Sequence, residues 1–284
     1  MEQQVVSSTQ VRERPVVALM TDFGLGDGDV GAMKGVIAGI APQAQILDIT
    51  HDVSPQNVPS AAWILSSVYR YFPVGTVFVC VIDPGVGSSR GAIAVAAGDW
   101  FFVGPDNGLF SYVYAGQPIH GAALLHNPAY QLPQVSSTFH GRDIFAPAGA
   151  YLARGVDLRE FGPAVEPAAL LRLNIEPPAR QGNVIEASVL HVDHFGNIIT
   201  SIPLSLVPDL FDSEEVRAEF PGNRGNQAMV TERRRFFAGG AVDGVPFIYG
   251  DSSGYVGIAV RNGSAARVLN VSTSMPVILF IKNT

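Results

Sequence analysis

The feature that most constrains the fold is a change of rhythm partway along the chain. From Pro15 to about Arg172, short β-rich apolar runs alternate with longer segments of helical character, the pattern of an α/β layer with a largely parallel sheet. Val16–Met20 reads as the first strand, Val30–Ala41 as a helix with small residues toward the sheet, Gln45–Thr50 as the next strand, and about Val58–Phe72 as the second helix. Thr76–Asp83 is apolar on both faces, as a central strand requires. The runs AIAVAA, WFFVG and AALL add further short strands, and a last helix ends near Gly155. Glu176–Asn183, EPPARQGN, packs two prolines and a glycine together and reads as a linker. Beyond it come short strands punctuated by Gly, Asn or Pro, with no long helix, which predicts a small all-β barrel or sandwich. The expected layout is a frayed tail over residues 1–14, an α/β domain over 15–175, a linker over 176–183 and a barrel-like β domain over 184–284.

The chain has 284 residues, 47% hydrophobic and 15% charged, with mean hydropathy +0.23, enough apolar material for one or two globular cores. No apolar run approaches the ~18 residues of a membrane helix, so a soluble protein without a membrane partner is expected. Lys+Arg 18 against Asp+Glu 25 leaves a net charge of −7, and apart from Arg233, Arg234 and Arg235 the basic residues are scattered. That distribution argues against nucleic acid and tolerates a cationic small molecule. Cys80, the single cysteine, lies in an apolar run, which excludes an internal disulfide framework and a Cys-based zinc site. The first residues hold no apolar leader, and a cytoplasmic location is expected.

Five stretches carry the candidate chemistry, the last of them DSSGYVGIAVRNGSAA, Asp251–Ala266, whose hydroxyls and amides can bind a ligand or simply form turns. TDFGLGDGD, Thr21–Asp29, follows a strand and precedes a helix, but its glycines miss the G-x-G-x-x-G spacing of a dinucleotide loop. Asp22 at a strand end can accept both hydroxyls of a ribose, or the segment is simply a strand-to-helix turn. Asp27 and Asp29 suit the following helix N-terminus better than a magnesium ion. DPGVGSSR, Asp83–Arg90, again follows a strand, and its carboxylate and guanidinium can meet across the loop, for catalysis or as a structural clamp. In STFHGRDIFAP, Ser136–Pro147, His140 opens a helix and gains interest only from its company with Asp83 and Arg90. HVDHFGNIIT, His191–Thr200, offers Asp193 for a cation, Asn197 for a base edge and Phe195 for stacking, or else forms a polar hairpin turn. Strand alternation puts His194 on the opposite face from His191 and Asp193, which argues against one shared metal.

Taken in order, TDFG, DPGVG, TFHGRD, DHFGN, SSGY and RNG resemble the S-adenosyl-L-methionine hydrolases, also called S-adenosyl-L-methionine hydroxide adenosyltransferases, relatives of the fluorinase and chlorinase. The resemblance runs from about Val16 to the C-terminus. It implies an N-terminal α/β domain, a C-terminal β domain, no cofactor or metal, and a homotrimer with active sites between the N-terminal domain of one subunit and the C-terminal domain of its neighbour. It further implies that Asp83, Arg90 and His140 activate water, that Asp22 binds the ribose, that Asp193 and Ser252 hold the methionine moiety, and that Asn197 contacts adenine with Phe195 stacking beside it. Asn262 of the RNG motif joins the substrate contacts. The chain departs from the family pattern at Arg233–Gly240, so Phe237 is not carried over as a second adenine stacker. Halogenases of this kind replace the Asp and His of the triad and insert a loop after the second motif. Here both residues are kept, and only residues 91–99 separate Arg90 from Trp100, so water rather than halide is the expected nucleophile. A halide-using adenosyltransferase and a non-catalytic S-adenosylmethionine or adenosine sensor are the alternative functions.

Overall fold

Strand β1 (Val16–Thr21) is buried along its whole length, as a strand flanked by parallel neighbours and covered on both faces must be. The computed structural model describes residues 14–221, 228–237, 239 and 242–282, and the chain divides into one unit ending at Leu173 and another beginning at Asn174. Residues 1–13, most of the expected tail, lie outside the described residues.

After β1 the first unit continues with α1 (Asp29–Ile40), β2 (Gln45–Thr50), α2 (Val58–Val68), β3 (Val77–Val81), β4 (Ala92–Ala97), β5 (Trp100–Pro105), α3 (Ser111–Gly116), β6 (Ile119–Leu124) and α4 (Ala146–Ala153). The sheet order is β2-β1-β3-β5-β4-β6, parallel from β2 through β5 and antiparallel across β5-β4-β6. Period-two alternation sorts the strand residues into two cores. Val17, Leu19, Val77 and Val79 pack with Met33, Ile37 and Phe145 on one face, whereas Ala18, Met20, Phe78 and Cys80 pack with Leu65, Tyr69 and Phe110 on the other. Cys80 is thus a core residue whose thiol burial pushes up in pKa.

Helix α2 begins at a cap in which the Asn57 Oδ1 accepts from the Ser60 N–H at 3.0 Å. The last helix of this unit departs from expectation at its start. Gly141–Phe145 winds as a π turn before α4, a local widening often found at functional sites.

The second unit comprises β7 (Ala179–Gln181), β8 (Val184–Val192), β9 (Ile198–Pro203), β10 (Glu215–Phe220), β11 (Ala228–Val230), β12 (Pro246–Gly250), β13 (Tyr255–Val260), α5 (Ala265–Leu269) and β14 (Pro276–Lys282). Every strand pairing is antiparallel, in the path β11-β10-β14-β8-β9-β13-β12 with β7 added to β8. An isolated bridge from Arg233 to Ile248 brings the chain after β11 beside β12, so the sheet nearly closes into a barrel around Ile185, Phe220, Ile258 and Leu279. The segment read as a linker is therefore partly strand, because Ala179–Gln181 finds hydrogen-bonding partners on β8.

Candidate active site

Parallel strands β1 and β3 end in the loops that carry Asp22, Asp83 and Arg90, the usual place for ligands in an open α/β sheet, and His140 comes from the segment just before the Gly141–Phe145 turn. Asp83 lies two residues beyond β3. Its loop is folded by the Val86 N–H on the Asp83 carbonyl at 3.2 Å and by the Ser88 hydroxyl on the Gly85 carbonyl at 2.7 Å. Gly87 takes φ +76° with the Ser137 carbonyl against it, so a Cβ there would clash and push apart the loops bearing Asp83 and His140.

Arg90 folds back onto Asp83. Its Nε donates to both carboxylate oxygens, at 3.0 and 3.1 Å, and its Nη2 makes a further short bond to Oδ2. The Asp83 side chain is 5% exposed and that of Arg90 11%, so this is a largely desolvated, charge-assisted pair rather than a surface ion pair. The same Nη2 lies 2.7 Å from His140 Nδ1, and the guanidinium sits over the Phe145 ring with its central carbon 5.2 Å from the centroid. Asp83, Arg90 and His140 are thus one hydrogen-bonded set. Burial, then the charge of Arg90, holds the His140 imidazole below its ordinary pKa, with Asp83 and Asp143 pulling the other way. Arginine can only donate, so Nδ1 accepts and the neutral ring carries its proton on Nε2.

Asp143, fully buried, fixes the loop before His140. It accepts from the Ser136 N–H at 2.8 Å and from the Arg142 guanidinium at 2.6 and 3.1 Å. An edge contact between Phe23 and Phe139, centroids 5.8 Å apart, brings the TDFG loop against the same segment. Within TDFG, Asp22 Oδ2 accepts from the Gln56 N–H at 2.7 Å, and Gln56 adopts φ +62°. His51, which the sequence reading passed over, anchors this loop twice: its ring Nδ1 meets Thr21 Oγ1 at 2.9 Å, and its carbonyl accepts from the Gly24 N–H at 2.8 Å. Asp29 opens α1 without capping it by a side-chain bond, so it complements the helix N-terminus by charge.

In the second unit Asp193 and Asn197 hold each other. Asp193 Oδ1 accepts from the N–H groups of Phe195 and Asn197 at 2.9 and 2.8 Å, and Oδ2 accepts from Asn197 Nδ2 at 2.8 Å. This closes the β8–β9 turn with Gly196 at φ +82° and leaves the Phe195 ring 74% exposed. DHFGN thus forms the polar turn, and that turn displays an aromatic ring. The Ala266 N–H donates to the Gly196 carbonyl at 2.9 Å, which sets the turn against the segment following RNG. Asn262, at φ +54°, donates through Nδ2 to the Asp243 carboxylate at 3.2 and 3.3 Å.

Ser252 is exposed in the β12–β13 turn. That turn adjoins Tyr255, which pairs with Pro203, whereas DHFGN adjoins Ile198, which pairs with Ile258, so the two turns lie toward opposite ends of the β9–β13 ladder. Between them Tyr249, opposite Gly257, feels the charges of both Asp251 and Asp193. Its ring also meets Phe237, centroids 5.1 Å apart. Phe237 is thus part of an aromatic cluster with Phe247 and Tyr249.

The first unit thus carries a hydrogen-bonded Asp83–Arg90–His140 set, and the second is a nearly closed β sheet with polar turns. The models of the SAM hydroxide adenosyltransferase N-terminal domain and C-terminal domain match residues 17–162 and 187–278. The (R)-S-adenosyl-L-methionine hydrolase of Salinispora tropica is 40% identical over 259 residues, covering 91% of this chain and 95% of the relative. The protein of that name from Thermus thermophilus is 39% identical over 271 residues, covering 93% and 98%. Fluorinases match at 26–28% identity. A solved structure of an uncharacterized conserved protein from Thermotoga maritima superposes with TM-score 0.84 at 33% identity, covering 93% of this chain and 99% of that one. The chain belongs to the SAM hydroxide adenosyltransferase family.

Proposed function

We infer that this protein hydrolyses S-adenosyl-L-methionine to adenosine and L-methionine by attack of an activated water, or hydroxide, on C5′ of the nucleoside. The observation that carries the reading is the continuous Asp83–Arg90–His140 hydrogen-bonded set. Attack of hydroxide on a sulfonium brings an anion to a cation and expels a neutral thioether, so a site poor in water favours the step. The Arg90 guanidinium stabilises the hydroxide form, and Asp83 fixes the guanidinium. In the resting arrangement His140 presents Nε2–H and has its Nδ1 lone pair taken by Arg90, so its resting role is to orient the nucleophile as a donor. It becomes a proton acceptor only when Arg90 Nη2 releases Nδ1.

Asp22, whose Oδ2 accepts from the Gln56 N–H, takes the ribose hydroxyls. Asp193, Asn197, Phe195, Ser252 and Asn262 supply the methionine and adenine contacts, with the exposed Phe195 ring as stacking surface. Following the family resemblance, we propose a homotrimer in which the α/β unit of one subunit meets the β unit of its neighbour, an arrangement compatible with the division of these residues between the two units. The lone buried thiol fits a reducing, cytoplasmic setting. Incubation of the pure protein with S-adenosyl-L-methionine, followed by chromatography, tests the reading. Adenosine and methionine in equal amounts support it, halogenated nucleoside in chloride marks a halide-using transferase, and binding without turnover marks a sensor.

A further inference from the structure

A turn that the sequence reading did not single out grips both ends of the catalytic loop. The β3–β5 ladder pairs Val79 with Val103; beyond it, the Ile82 carbonyl accepts instead from Asn107 Nδ2 at 2.9 Å. Ile82 immediately precedes Asp83. On the other side, the Asp106 N–H donates to the carbonyl of Gly91, which immediately follows Arg90, at 2.9 Å. A Cβ on Gly91 would come within 3.3 Å of the Asp106 Cβ, so the two chains are close-packed there. The turn is itself held from outside the loop. Asn107 Oδ1 accepts from the Leu109 N–H at 3.2 Å, and Asp106 Oδ1 accepts from the Leu171 N–H at 2.9 Å. Asp83–Arg90 is thus a loop with both roots fastened to one pair of residues at the end of β5.

We infer that Asn107 is a positioning residue for the Asp83–Arg90–His140 set: its side-chain amide fixes the backbone from which Asp83 projects, and Asp83 in turn aims Arg90 at His140. The inference rests on the proposed hydrolase reading only for its kinetic consequence. Its geometric consequence is independent, because any loosening of the loop root moves Arg90 relative to His140.

The Asn107→Asp variant is the sharpest probe. It keeps the acceptor for the Leu109 N–H, loses the donor to Ile82 and sets a carboxylate against that carbonyl. Asn127→Asp is the matched control, since Asn127 likewise accepts from a backbone N–H, that of Ala129 at 3.0 Å, and donates to a carbonyl, that of Glu160 at 2.7 Å, without touching the loop. The expected result for Asn107→Asp is a fall in kcat of about tenfold or more with KM within about twofold. The His140 imidazole, followed by NMR, should titrate closer to an ordinary histidine as Arg90 withdraws and Asp83 and Asp143 remain. Asn107→Ala, which removes both the donor to Ile82 and the acceptor for the Leu109 N–H but adds no charge, should show the same pattern if the Asp variant fails to fold. Asn127→Asp should change neither kcat nor the His140 titration. An unchanged His140 titration in folded Asn107 variants, or kinetic losses no larger than those of Asn127→Asp, would overturn the inference. Failure of the wild-type protein to release adenosine would sink the hydrolase reading while leaving the titration to decide the role of Asn107.

Discussion

Arg90 Nη2 stands 2.7 Å from His140 Nδ1, a contact in which only the guanidinium can donate, so the pair exists only while the imidazole is neutral. Burial and the neighbouring guanidinium both favour that neutral state. The hydrogen-bonded set is therefore assembled at physiological pH, and protonation of one ring dismantles it.

The pH dependence follows with a definite sign. Because the folded pKa of His140 lies below the ordinary value of about 6.5, activity should be full above that value and fall with a single acid limb below it. Over the same window the unfolded chain binds a proton more readily than the folded one, so stability also declines as pH falls. A profile of kcat against pH checks this, and an acid limb centred above 6.5 would contradict it.

Removing the guanidinium should have two separable effects. Arg90→Ala deletes the charge that stabilises hydroxide, so kcat should fall by about 10²-fold or more while KM changes little. It also leaves the nearly buried Asp83 carboxylate without its partner, which should cost about 3–5 kcal/mol of stability, readable in denaturant. Arg90→Lys restores the charge but not the forked geometry and should recover only part of either loss. Equal losses in kcat and substrate affinity would favour a purely structural clamp.

The division of candidate residues between two units predicts complementation. Arg90→Ala and Asp193→Ala should each lose most of their activity, the second because Asp193 accepts the three hydrogen bonds that close the DHFGN turn. Mixed under subunit exchange, about a quarter of the interfaces in a head-to-tail trimer should pair an intact α/β half with an intact β half. Recovered activity near that fraction supports sites shared between subunits of a head-to-tail ring, light scattering gives the ring's size, and a monomer would contradict the proposal.

Much of this could be read from the amino acids alone, for identifiable reasons. Runs such as Val77–Val81 are apolar on both faces, and their alternate residues do divide between two cores. The spacing of Asp83 and Arg90 allowed a pairing across a Gly-rich loop, which the structure realises. Less legible were elements whose signals are weak or act through the backbone. Glu215–Phe220 buries only Val216, Ala218 and Phe220, and the acidic residues just before it mask that alternation. The prolines of residues 176–183 read as a linker although Ala179–Gln181 pairs with β8. His51 and Asn107 act by gripping main-chain atoms far away in sequence, which no local pattern reveals. At DHFGN the choice between ligand clamp and turn was undecidable because Asp193 and Asn197 first satisfy each other.

The most direct test of the account is to run the reaction in ¹⁸O-labelled water and read the products by mass spectrometry. Nucleophilic attack at C5′ by a water held against Arg90 predicts that the label enters the 5′ oxygen of adenosine, with none in methionine and no dependence of rate on EDTA. Adenosine formed without the label would contradict the central claim that this protein adds water across the C5′–sulfur bond.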